Sequence, residues 1–102
     1  MKIKIKGVNY KIKFVDIIAN DENTQGRVCY PDRVIWIKKG LGSEAVETVV
    51  HEIYHATLYE CGLKHQAWDE ELVSWFSHHH NEVSINLVSI LKKYVKSSNG
   101  SN

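Results

Sequence analysis

The chain has 102 residues, 43% of them apolar and 25% charged, with a net charge of +1 at pH 7. That length fits one domain with a real core and leaves little room for a second lobe. The near-neutral charge argues against a broad nucleic-acid surface, and no apolar run approaches membrane-spanning length.

The opening stretch, MKIKIKGVNYKIKFV, has no continuous apolar run and does not read as a signal peptide. Lys2, Lys4, Lys6, Lys11 and Lys13 alternate with Ile3, Ile5, Tyr10, Ile12 and Phe14. Period two with one polar face predicts two half-buried strands. Gly7 to Asn9 between them predicts a β-hairpin. The lysine row reads as a solvated face.

Residues 19–26, ANDENTQG, are polar and predict a loop. RVCYPDRVIWIKK follows and reads as strand, turn and strand, with Val34 to Lys38 the firmer strand. Pro31 keeps the break at a turn or an edge. Ser43 is a good N-cap residue, and Glu44 and Glu47 favour the positive end of a helix dipole. That helix is expected to run to about Cys61 and to stop at Gly62. LKHQAWD reads as a connection, with His65 on the surface. Asp69 or a neighbour opens a further helical stretch, either one helix or a pair broken near His80 and Asn81. Leu72, Val73, Phe76, Val83 and Leu87 mark its buried face.

Strands first and helices after predict an α+β domain, with a small N-terminal antiparallel or mixed sheet packed against helices. The domain is expected over residues 1–96, with 97–102 as a flexible tail. Cys29 and Cys61 fit no zinc-finger spacing and read as buried, reduced thiols of a cytoplasmic protein. Tyr54 and Tyr59 read as core residues, and Trp68 and Trp75 as packing over a site.

The chemistry concentrates in TVVHEIYHATLYECG, residues 48–62. His51 and His55 are four residues apart, so a helix places both imidazoles on one face within reach of one metal ion. Glu52 is rotated away from them and can act as general base toward a metal-held water. Zinc would bring the pKa of that water to about 7. A catalytic zinc site needs a third protein ligand and an open position. Asp69, Glu70 and Glu71 are the candidates, with His78, His79 and His80 competing.

This motif, followed by DEELVSWFS, resembles the minimal zincin metallopeptidases of the gluzincin type from bacteria, phages and prophages, small relatives of the ImmA/IrrE-like and SprT-like groups. The resemblance spans about Tyr10 to Val88. It implies one zinc ion held by His51, His55 and Glu70, with Glu52 as the catalytic base; an ImmA/IrrE-like alignment places the third ligand at Glu71 instead. It also implies a peptide substrate pairing with an edge strand beside the motif helix, for which Val34 to Lys38 is the candidate. The expected function is a zinc-dependent metallopeptidase acting on a protein substrate, with no nucleic acid or membrane partner. The alternative is a non-catalytic zincin-fold module that binds a protein partner, its zinc structural or vestigial.

Overall fold

The computed structural model describes residues 1–100 of the chain. The fold is α+β, as the order of elements predicts. Four strands come first: β1 (Lys2–Ile5), β2 (Val8–Val15), β3 (Gly26–Cys29) and β4 (Val34–Lys38). Three helices follow: α1 (Glu44–Glu60), α2 (Lys64–Ala67) and α3 (Glu70–Gly100). Of the expected tail, 97–100 continue α3, and 101–102 lie outside the described residues. Among the described residues, no helix is long and apolar enough to cross a membrane.

β1 and β2 form the predicted hairpin, but its turn is Lys6-Gly7, not the stretch from Gly7 to Asn9. Both turn residues have positive φ, 52° and 79°, the conformation of a two-residue type I′ turn. Glycine adopts it freely, and β2 begins directly after it.

The sheet order is β1-β2-β4-β3. β2 pairs parallel with β4, and β3 returns antiparallel along β4. β4 is therefore an interior strand. The expectation that Val34 to Lys38 form an edge is incorrect; β3 is the edge on that side. The apolar run Val34-Ile35-Trp36-Ile37 suits a strand with neighbours on both sides, and Ile35 and Ile37 are fully buried.

Ile5, Tyr10, Ile12, Ile35 and Ile37 point to one face of the sheet and enclose Ala56 of α1. Phe14 continues the alternation but lies at the margin and is exposed. The same face is tied to the end of α1 by Glu60. Its carboxylate accepts from the Tyr10 hydroxyl and pairs with Arg33 Nε at 2.9 Å.

α1 ends as expected. Gly62 has φ 82°, its N–H donates to the Tyr59 carbonyl, and Leu63 N–H reaches back to Leu58, a Schellman closure. Its start differs: Ser43 occupies the cap position but makes no side-chain bond to the first turn. The second helical stretch is one helix, α3, without a break near His80. Asp69 caps it, accepting from the Leu72 N–H at 3.1 Å. Of its expected buried face, Val73 is fully buried and Val83 is exposed; the Leu87 side chain lies outside those described. Cys61 is exposed and Cys29 only partly covered, so neither is a core thiol.

Candidate metal centre

α1 carries His51, Glu52 and His55 along the face that looks toward β3 and the start of α3. His51 and His55 are one turn apart, as their spacing requires. Asp69 fixes the start of α3 so that Glu70 is its first residue. The Glu70 carboxylate then reaches both imidazoles: Oε2 lies 3.0 Å from His51 Nε2, and Oε1 lies 3.0 Å from His55 Nε2. The two Nε2 atoms are 3.2 Å apart. His51, His55 and Glu70 together can hold a metal ion.

The imidazoles are oriented from behind. His55 Nδ1–H donates to the Ala67 carbonyl, which leaves Nε2 as the lone-pair atom facing the cluster. Ala67 is the last residue of the one-turn helix α2. Carbonyls at a helix end lack intrahelical partners, and this one is taken by His55. The stretch read as a mere connection thus supplies a fixed acceptor. His51 Nδ1 lies 3.5 Å from Ser77 Oγ, a looser support from α3.

Glu71 does not join the cluster, and neither do the three consecutive histidines. His78 Nδ1 pairs with Glu47 Oε1 at 2.8 Å. His79 Nδ1–H donates to the Trp75 carbonyl, and His80 Nδ1 meets the Tyr54 hydroxyl at 2.7 Å. Tyr54 also stacks on Phe76, a packing role between α1 and α3.

Glu52 is only 7% exposed. Burial pushes its pKa up to about 7, with the nearby His55 opposing the shift and the Glu70 charge adding to it. Gly26 packs directly against this carboxylate's side chain. A Cβ at that position would lie 2.8 Å from Thr48 Cγ2 and 3.0 Å from Glu52 Cγ. Only glycine lets β3 press this closely on α1.

A cleft of about 910 Å³ lies over the cluster. α1 forms one wall with Glu44, Glu47 and Thr48, β3 forms the other, and Trp68 stands at one end. Tyr30, on the β3 side, stacks face to face on Tyr59 at 3.9 Å between ring centres. Its hydroxyl is buried and has no hydrogen-bond partner among the described residues. Burial, with Glu52 and Glu60 nearby, raises its pKa. Trp68 flanks the cleft as expected, whereas Trp75 packs on Phe76 and His79.

Gly26, Ala67, Ser77 and Tyr30 escaped the sequence reading. Gly26 alone left a signal, a glycine at the head of a strand, which marks close backbone approach. The other three matter through contacts that no local pattern encodes. No protein-family model, curated protein or solved structure matches this chain.

Proposed function

We propose that the chain is a zinc-dependent metallopeptidase that hydrolyses peptide bonds of a protein substrate. The observation that carries this reading is the convergence of three ligand atoms, from His51, His55 and Glu70, beside a buried carboxylate at the foot of a cleft. A tetrahedral zinc with bonds of about 2.0–2.1 Å sets its ligand atoms about 3.3 Å apart. One ligand atom from each of the three residues lies within 4.8 Å of the others, and the two histidine Nε2 atoms, 3.2 Å apart, match that spacing. Two imidazoles and one carboxylate are also a donor set that suits zinc and leaves a position open.

When bound, the ion would activate a water near neutral pH and polarise the scissile carbonyl. The chain's own residues do the rest. Glu52 takes the proton of the attacking water and returns it to the leaving amine. Gly26 packing keeps bulk solvent from the inner side of that carboxylate. The hydrogen bond from His55 to Ala67 holds the ligand tautomer.

The substrate backbone pairs with β3 rather than β4. Lys38 N–H donates to the Gln25 carbonyl at 2.8 Å. By antiparallel alternation, Gly26 and Val28 therefore turn their backbone groups away from β4. An extended peptide laid along that edge would use these groups in β-augmentation.

The test is metal content of the purified protein together with hydrolysis of an unfolded protein substrate. One zinc per chain and cleavage are expected. His51→Ala should lose both, and Glu52→Gln should lose cleavage alone. Zinc with no cleavage of any unfolded substrate would leave the partner-binding alternative standing in its place.

A further inference from the structure

The sheet has a second face, and it is rich in cations. The strand registers place Lys2, Lys4, Lys11, Lys13, Trp36 and Arg27 on the side opposite α1. All five cations are exposed. None of the four strands contains a single carboxylate. The near-neutral net charge conceals a separation: residues 1–39 carry nine Lys and Arg against four Asp and Glu, and residues 40–102 carry four against eight.

Solvation alone does not account for this layout. Lys2 stands directly opposite Lys11 across the β1–β2 pair, and like charges so placed destabilise a sheet. Alternating signs would solubilise the face without that repulsion. Trp36 stands in one row with Lys13 on β2 and Arg27 on β3. The Lys13 ammonium sits 5.4 Å from its ring centre. An indole between two cations, on an open sheet lined with further lysines, offers a stacking surface and phosphate neutralisation together. An acidic peptide would use the charges but not the ring.

We propose that this face binds single-stranded nucleic acid, with a base stacked at Trp36 and phosphates on Lys11, Lys13 and Arg27. Lys2 and Lys4 extend the track across β1. Arg27 also lines the cleft, so the bound strand would end near its rim. Binding would not depend on the metal centre, which lies across the sheet.

The test uses fluorescence anisotropy with a labelled oligothymidylate of about 20 nucleotides, long enough to exceed the site of one small domain. Dissociation constants in the range of about 10⁻⁴–10⁻⁶ M are expected, with log affinity falling against log salt at a slope of about −2 to −3 for three to four phosphates on a single strand. Lys11→Glu/Lys13→Glu should weaken binding at least tenfold. Lys92→Glu/Lys93→Glu, an equal change of charge at exposed positions on α3, and His51→Ala should leave it within about twofold. In a Trp68→Phe/Trp75→Phe background, Trp36 is the sole indole, and its fluorescence should be quenched on binding. Far-UV circular dichroism checks each fold, and Lys11→Gln/Lys13→Gln replaces the charge-reversed pair should that pair not fold. Absence of binding at low salt would overturn the proposal. So would binding that the Lys11/Lys13 variants leave unchanged. Capture of polyglutamate or of anionic phospholipid vesicles, with no quenching by the oligonucleotide, would also overturn it and reassign the face.

Discussion

Glu52 and Glu60 lie two turns apart on the same helix, and they have opposite environments. Glu60 is satisfied: Arg33 and Tyr10 both bond to it, and they hold its pKa below the usual carboxylate range. Glu52 is buried under Gly26 with no cation bonded to it, and its pKa rises to about 7. The C-terminal end of α1 is thus fastened to the sheet, while its middle keeps a carboxylate unpaired beside potential metal ligands. A buried acid with its partners complete is a structural joint, and one left without them is available for chemistry.

Four substitutions break or sharpen this contrast. The largest effect is expected at Glu52. Glu52→Gln should lower peptide hydrolysis on the order of a thousandfold, the weight of a general base, while plasma mass spectrometry still finds the metal. Glu60→Gln should leave the rate per folded molecule unchanged.

Gly26→Ala comes next. Its Cβ would meet Thr48 and Glu52 at 2.8–3.0 Å, and such overpacking destabilises by about 1–3 kcal/mol. Urea unfolding reads that loss directly.

The two glutamates should then show opposite pH trends in metal-free protein. Glu60 has a lowered folded pKa. Its contribution is present above the unfolded value near 4.5 and is lost as pH falls through the folded pKa. Glu60→Gln should therefore destabilise at neutral pH, by about 1–2 kcal/mol for a charged hydrogen bond, and the gap to wild type should close in acid. Glu52 has a raised folded pKa, so the native state binds the extra proton. Its charge begins to oppose folding as pH rises from about 4.5, and the penalty is complete above about 7. Glu52→Gln should therefore stabilise the metal-free chain at pH 8 and make no difference at pH 4. Thermal unfolding in chelator across that range tests both signs, and parallel slopes would remove the contrast.

Tyr30→Phe should have the smallest effect. It removes a buried hydroxyl without a partner among the described residues and should raise stability by about 1 kcal/mol. A loss of stability would mean that the hydroxyl has a partner in solution.

Much of this arrangement was legible in the residues themselves. The lysine alternation marked β1 and β2, and the period-two pattern assigned their faces. The H-E-x-x-H spacing put two imidazoles on one side of a helix ended by Gly62. Asp69 or a neighbour marked the start of α3, and the structure makes Asp69 its cap. Patterns of this kind are local, set by the repeat of a strand or helix. The strand order was not local. β4 became interior because β2 pairs with it in parallel across an intervening strand, a contact no short window contains. That error moved the proposed peptide edge from β4 to β3.

The sequence by itself determined the four strands, the motif helix, the helical stretch after it, the histidine pair and the carboxylate beside it, because each follows from backbone periodicity and side-chain chemistry; the one-turn α2 reads there as a connection. It left Asp69, Glu70 and Glu71 as competing acidic ligands, since three successive residues differ mainly in the direction they face. Only the tertiary structure decided for Glu70, by setting the first turn of α3 against α1. The same packing turned the Ala67 carbonyl toward His55, pressed Gly26 onto Glu52, and gathered the lysines around Trp36 on one open face. Those relations depend on distances between elements far apart in the chain, and only the folded core sets them.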